Sequence, residues 1–288
     1  MRGRRSGGVT HSMEHHVSWV TRVANQYLGQ YAMVLLNWLH IQPRHASEPI
    51  PQHVVMALLV VVVGVIAALI LRAQLSVERP GALQQIAELL ITNPMGFGIR
   101  DLLEENVGHD GSRYVAWVGS IAIFILIANL FGMFPFLTAP TGIVTVPLSC
   151  AVLTFLYFNY HGVRKHGVIG YLGTFAGSPK SPGAWALAIL LFPVEIISTT
   201  ARLLSLTVRL WANMFASDLI YVIFLGLLSG GVAFGWSKSP ILGVILGVFP
   251  ALFPILFIGL HIFVSVVQAY VFTVLPAVYL GLATGDEH

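Results

Sequence analysis

Arg209 lies inside an apolar stretch, in the order Leu206-Thr207-Val208-Arg209-Leu210-Trp211-Ala212-Asn213. Glu195, Arg202 and Asp218 share that stretch, while His261, Ser265 and Gln268 occupy a second one. Each residue type suggests a task. A guanidinium keeps its proton under all accessible conditions and so supplies a fixed positive charge. Carboxylates and imidazoles exchange protons, histidine near neutral pH. The set suits proton movement. Placing one arginine at bilayer depth costs at least about 2.5–3.5 kcal/mol on insertion scales, so a chain that keeps it is expected to use it. Cys150 is the only cysteine, which excludes an internal disulfide and a cysteine metal site. His15 with His16, and His161 with His166, have no further ligand-type residues at matched spacing, so no metal and no cofactor are expected.

Helical geometry groups these side chains. At about 100° per residue, positions seven apart drift by only about 20°. Glu195, Arg202 and Arg209 therefore share one stripe, which Asn213 extends four residues beyond Arg209. Asp218, nine residues beyond Arg209, points to nearly the opposite face. His261, Ser265 and Gln268, spaced four and three, form a second stripe. Buried charges can also pair merely to hold a bundle together, and Glu195 with Arg202 fits that description too. A lone histidine can equally be a hydrogen-bonded core residue; its alignment with Gln268 favours a proton relay. Arg209 differs. The nearest acidic residues lie on another face or several turns away, so its counter-charge is expected from another subunit.

The elements that must position these residues are membrane helices. Of 288 residues, 56% are hydrophobic and 9% are charged, against roughly 25% charged in soluble proteins. Several apolar runs reach the roughly 20 residues that cross a hydrocarbon core, and they are too long and uniform for barrel strands. The expected fold is an all-α polytopic membrane protein with about five membrane helices and an interfacial amphipathic helix, the last two long, tilted and antiparallel.

Residues 1–53 read as an N-terminal extension and an interfacial segment marked by Trp19, Tyr27, Tyr31 and Trp38; 1–12 read either as the remnant of a mitochondrial-type presequence or, in preference, as lying upstream of a start at Met13. Residues 54–288 read as a single membrane domain. It comprises a span at 54–72, an interfacial helix at 80–107, and spans at 114–136 and 146–162. Glu88, Arg100, Asp101, Glu104 and Glu105 rule out a simple span at 80–107. The second span is expected to stop at Pro135, and a basic loop at 161–180 follows the third. Long helices at 184–228 and 240–282 complete the chain, with Gly230, Gly231 and residues 236–240 as the turn between them. About 43–45 helical residues measure roughly 65 Å, twice the hydrocarbon thickness. No turn cluster interrupts either run despite Pro193, Pro250 and Pro254, which favours tilted or bent single helices over re-entrant hairpins.

Positive residues orient the chain. Arg72, Arg79, Arg100 and Arg113 lie between the first two spans, and Arg164, Lys165 and Lys180 follow the third. The positive-inside rule places both loops and the C-terminus in the cytoplasm. Five arginines before His53 then fall outside, the one discordant count.

The run from Arg202 through Arg209 and Asn213 to Asp218 closely resembles the signature of the F-type ATP synthase subunit a family. His261, Gln268-Ala269-Tyr270-Val271-Phe272, Tyr279-Leu280 and the acidic tail ending in His288 agree with it. So does Asn129-Leu130-Phe131-Gly132-Met133-Phe134-Pro135 on an earlier helix. The resemblance covers essentially residues 13–288, and its combined spacing is specific. It implies a non-catalytic stator subunit packed against a rotating ring of c subunits, each bearing an ion-binding carboxylate. Its other implied partners are b-type peripheral-stalk subunits, the remaining ATP synthase subunits and the lipid bilayer. Two laterally offset half-channels would carry protons to and from the ring, so that ion flow drives rotation and ATP synthesis. Arg209 would face the ring carboxylate, with an attraction of roughly 4 kcal/mol at about 4 Å and an effective dielectric of about 20. Asp218, His261, Asn213 and Gln268 match positions at the outer half-channel, with Ser265 in support. Glu195 matches the cytoplasmic one, where Arg202 and Ser205 join it. Asp218 stands where many relatives carry glutamate.

Two rivals remain at the level of sequence: a self-contained proton- or sodium-coupled transporter, and a structural scaffold. Transporters often show inverted repeats, and none is visible here. No G-x-x-x-x-G-K-[ST] loop is present, so the chain is expected not to bind ATP itself, and no nucleic-acid partner is expected. The expected location is a bacterial cytoplasmic membrane in preference to a mitochondrial inner membrane.

Overall fold

The computed structural model describes residues 18–40, 42, 48–93, 98–134, 137–177 and 182–285. The extension at 1–12, the start at Met13, His15, His16, the Pro135 stop, Lys180 and the tail ending in His288 lie outside the described residues. The chain divides into two compact units, Met1–Val55 and Met56–His288.

The first unit holds α1 (Trp19–Trp38). Ser18 caps its start, the hydroxyl accepting from the Thr21 amide. Asn25 then ties the returning chain to the helix. Its amide donates to the Ile50 carbonyl at 3.1 Å, and its oxygen accepts from the Ile50 amide at 2.9 Å. Tyr27, Tyr31 and Trp38 are exposed.

α2 (Gln52–Ala73) is apolar along its length and ends at Arg72, a cation suited to a helix C-terminus. The segment expected as one helix at 80–107 is two, α3 (Ala82–Ile91) and α4 (Ile99–Val107). Pro94 follows Asn93 in sequence and disfavours helix at that residue. The return at Gly98 is tight: a Cβ there would lie 2.6 Å from the Ile91 carbonyl oxygen. α4 buries Ile99, Leu102 and Leu103 and leaves Glu104 and Glu105 exposed.

α5 (Val115–Leu130) follows a 3₁₀ turn at His109–Tyr114. α5 runs into a 3₁₀ turn at Phe131–Met133, and the breaker-rich connection forms another at Pro140–Gly142. α6 (Thr145–Phe175) runs well past the expected end of the third span, so most of the expected basic loop is helical. Only Gly167, at φ 71°, interrupts it, a conformation glycine adopts without a Cβ penalty. Beyond that kink the helix folds back, and the Tyr171 hydroxyl donates to Asn159 Oδ1 at 3.0 Å.

α7 (Pro182–Lys238) and α8 (Pro240–Thr284) are 57 and 45 residues long and continuous. The expected glycine turn is a correction. Gly230 and Gly231 lie within α7, and Ser239 alone makes the connection, its hydroxyl accepting from the Leu242 amide at 3.1 Å. Pro240 takes the first helical position, where its missing N–H costs nothing. Close approach of the two helices falls nearer the connection instead, where a Cβ on Gly235 would lie 2.5 Å from the Gly243 Cα.

α4, α5, α6 and α8 share one buried cluster that includes Leu103, Val118, Phe158 and Leu280. A second cluster joins Ile125 of α5, Cys150 of α6, Leu206, Leu210 and Met214 of α7, and Phe272 of α8. Among the described residues four helices are long and apolar enough to cross a membrane: Gln52–Ala73, Asp110–Met133, Ala188–Lys238 and Leu256–Thr284. The protein is an all-α polytopic membrane protein.

Candidate functional site: an outward arginine between two polar interiors

The second buried cluster sets the rotation of α7. Leu206, Leu210 and Met214, spaced by four, turn inward and are almost wholly covered. Ser205, Arg209 and Asn213, also spaced by four, therefore turn outward, and all three are exposed. Among the described residues Arg209 forms no ion pair and no hydrogen bond. The arginine thus projects from the outer wall of the bundle with its charge uncompensated from within.

Seven residues earlier, Arg202 behaves differently. Its guanidinium lies 3.8 Å from the Glu195 carboxylate and 5.5 Å from the centre of the Tyr279 ring on α8. A cavity of about 390 Å³ opens here, with Thr154, Tyr171, Glu195, Thr199, Arg202 and Tyr279 among its lining. A cation, a carboxylate and several hydroxyls thus share the wall of one cavity with apolar neighbours.

The second polar region is built from α5, α7, α8 and the Pro140–Gly142 turn. His261 is buried, and its Nε2 lies 2.9 Å from the backbone oxygen of Asn129. Its Nδ1 lies 2.6 Å from the Ser217 hydroxyl. The Thr141 hydroxyl donates to Asn129 Oδ1 at 2.6 Å. Ser265 is spent locally, donating to the carbonyl of His261 at 2.7 Å. Asp218 is half-buried against the same turn, its Oδ2 3.2 Å from where a Cβ on Gly142 would stand. Gln268, one stripe position further along α8, is buried. Asn129 Nδ2 and Gln268 Oε1 are buried without a partner among the described residues.

The residues singled out in the sequence are thus divided between two polar regions and the outer wall of α7. His261 and Asp218 meet in one; Glu195 and Arg202 meet in the other. Arg209, Asn213 and Ser205 share the outer face. Sequence reasoning missed Ser217 and Thr141 as members of the histidine cluster, and used Asn129 only as a motif residue. Asn129 is a lone amide in an apolar helix, a visible signal. Ser217 and Thr141 are small hydroxyls whose partners lie 44 and 12 residues away, with no local mark.

The family model of the ATP synthase A chain matches residues 53–281. The ATP synthase subunit a of Koribacter versatilis is 38% identical over 273 residues, covering 95% of this chain and 99% of the relative. That of Solibacter usitatus is 40% identical over 242 residues, covering 84% and 91%. A third, from Desulfosudis oleivorans, is 35% identical over 209 residues, covering 73% and 78%. With the family model matched over most of the chain, two relatives covered over more than nine-tenths of their length, and the polar interiors framing one outward arginine, the chain belongs to the ATP synthase A chain family, as a subunit a of the bacterial type.

Proposed function

We propose that the outer face of α7 at Arg209 meets the proton-carrying carboxylates of a c-subunit ring, and that the two polar interiors are the half-channels serving it. As a stator subunit a, the chain forms half-channels that pass protons to and from the rotor so that ion flow drives ATP synthesis. The observation that carries the residue assignment is Arg209 itself: exposed and charged, with no ion-pair partner among the described residues, on a helix rotated to hold it outward.

In this arrangement Asp218, His261 and Gln268 line the inlet from the outside, with Ser265 in support and Asn213 at the outer wall beside Arg209. Glu195 and Arg202 line the cytoplasmic outlet, with Ser205 on the wall between it and Arg209. Arg209 favours the ionised ring carboxylate and so promotes proton release to the outlet. The same fixed charge repels a proton passing straight across. Water would complete the hydrogen bonds of Asn129 Nδ2 and Gln268 Oε1 in the inlet. Each 100 mV contributes about 2.3 kcal/mol per proton moved, so torque comes from biased proton exchange without covalent chemistry in this chain.

The wider architecture belongs to the same proposal. Residues 54–288 act as one membrane domain, with α6 as a fifth span near 146–162, α3 and α4 at the interface, and α7 and α8 tilted. Arg72, Arg79, Arg100, Arg113, Arg164 and Lys165 face the cytoplasm, as does the C-terminus, in a bacterial inner membrane. The c ring, b-type stalk subunits, the rest of the synthase and lipid are its partners.

The test replaces Arg209 with Ala in the assembled complex and measures ATP-driven proton pumping in inverted vesicles. Loss of coupled pumping with membrane-bound ATP hydrolysis retained is expected; retained pumping would overturn the assignment.

A further inference from the structure

The two ring nitrogens of His261 face unlike partners. Nε2 stands 2.9 Å from the backbone oxygen of Asn129, and a carbonyl oxygen can only accept. Nε2 therefore carries a hydrogen and donates it. In the neutral ring Nδ1 then holds the lone pair, and the Ser217 hydroxyl, 2.6 Å away, donates to it. The ring is held in this attitude. A Cβ on Gly132 would lie 3.2 Å from Cε1 and 3.3 Å from Nε2, so the backbone there closes on the ring edge. Ser265 is engaged with the carbonyl of His261 and Thr141 with the Asn129 side chain, so neither competes for a ring nitrogen.

The groups around the ring complete the account. α7 presents Ser217 and the Asp218 carboxylate, adjacent in sequence. α5 presents Asn129, the Pro140–Gly142 turn presents Thr141, and α8 presents Ser265 and Gln268, all uncharged. The one acid of the cluster thus lies next to the hydroxyl that holds Nδ1.

We propose that His261 is a one-ended proton store and that Ser217 is its port. A proton arriving at Ser217 Oγ forms a new O–H bond as the former hydroxyl hydrogen passes to Nδ1. The hydroxyl stays neutral and the ring becomes an imidazolium. Discharge reverses the same two bonds. The Nε2 hydrogen remains on the Asn129 carbonyl throughout, because that oxygen passes no proton onward. Protons therefore enter and leave His261 by one nitrogen, and the histidine buffers the inlet beside Asp218 instead of forming a wire through its ring.

The inference rests on the assignment of His261 to the inlet, and the experiment separates the two. The assembled complex carrying Ser217→Ala, Ser217→Thr, His261→Ala or Ser217→Ala with His261→Ala is compared with wild type for ATP-driven acidification of inverted vesicles across pH. Membrane-bound ATP hydrolysis checks assembly. Ser217→Ala should lower the rate by about tenfold, below the hundredfold lower limit usual for a positioned proton-transfer group because water partly substitutes. It should also give the pH profile of His261→Ala. Ser217→Thr, which keeps the hydroxyl, should restore both rate and profile, and the double variant should be no slower than His261→Ala alone. A wild-type rate and profile in Ser217→Ala beside a slow His261→Ala overturns the port and leaves the inlet assignment standing. Equal loss in Ser217→Ala and Ser217→Thr, or losses that multiply in the double variant, also overturns it. A wild-type rate in His261→Ala at every pH overturns the inlet assignment itself.

Discussion

Arg209 and His261 sit in neighbouring helices of one bundle, yet their surroundings are opposites. The arginine stands on the outer wall over inward-facing Leu206, Leu210 and Met214, with no ion-pair partner among the described residues. The histidine is buried, with both ring nitrogens engaged by the chain itself. The arginine's charge has no counterpart among the described residues, whereas both nitrogens of the imidazole find partners within the chain. A side chain whose partner lies elsewhere adds function and little to the fold of its own chain. A residue inside a closed network is part of the fold, and removing it leaves buried donors and acceptors without partners.

That contrast is sharpest in the largest expected effect. Arg209→Gln should reduce coupled proton pumping by about a hundredfold or more, as the loss of a charge aimed at the reacting group does. The thermal midpoint of the purified subunit should hardly move, because exposed substitutions usually stay within about 0.5 kcal/mol. A large fall in thermal stability would break the comparison, since it would mean the arginine is held from within after all.

Asn129→Leu tests the opposite side. Thr141, fully covered, loses its acceptor, and an unsatisfied buried hydroxyl costs about 1–3 kcal/mol. The thermal midpoint should fall clearly, and pumping should fall with it by a smaller factor than in Arg209→Gln. A variant that pumps poorly at unchanged stability would show that the network around Asn129 is not structural.

How far these two sites were legible in the sequence follows from the same distinction. Arg209 announces itself, because a guanidinium in an apolar run is costly wherever it points. The opposed direction of Asp218 follows from nine steps of about 100°. The continuity of α7 and α8 was visible in the lack of a turn cluster. What failed was the reading of Gly230 and Gly231. Glycine breaks helices in water, but between long helices in a membrane it also lets backbones approach. At Gly231 a Cβ would lie 3.4 Å from the Leu246 carbonyl oxygen, so the residue faces its partner helix within the hairpin. The break at Asn93 was available from Pro94 but was outweighed by the helical spacing of Leu83, Ile86, Leu89 and Leu90. The attachment of His261 could not be read at all. One of its two partners is a backbone carbonyl 132 residues away, and backbone atoms leave no trace in side-chain identity.

Glu195 lies between the extremes. Its contact with Arg202 is 3.8 Å, both side chains are about two-fifths exposed, and a pair in that setting contributes roughly 0–1 kcal/mol. Glu195→Gln should therefore leave stability almost unchanged and slow proton transfer through the cytoplasmic half-channel several-fold, read as the rate of ATP-driven pumping at saturating ATP. If the thermal midpoint falls while pumping stays constant, the pair is a brace and the cavity beside it is not the outlet.

The smallest expected effect is the most discriminating, because it acts on position alone. Gly132 sits in the short 3₁₀ turn Phe131–Met133 with no positive φ, so alanine suits the backbone there. Alanine also narrows the unfolded ensemble, a gain of about 0.4–1 kcal/mol. Against this, its Cβ would stand 3.2 Å from both the Ala139 Cβ and His261 Cε1, closer than relaxed packing allows. The two effects nearly offset, so the thermal midpoint of Gly132→Ala should stay close to wild type. The imidazole, however, is tethered at 2.6 Å and 2.9 Å and can yield only by lengthening one of those bonds. Proton pumping should then fall a few-fold, corresponding to less than about 1 kcal/mol on the transfer step. No charge, hydroxyl or titrating group is removed. An unchanged pumping rate would mean that the placement of the ring does not matter, and the closed network around His261 would then be packing without a role in conduction.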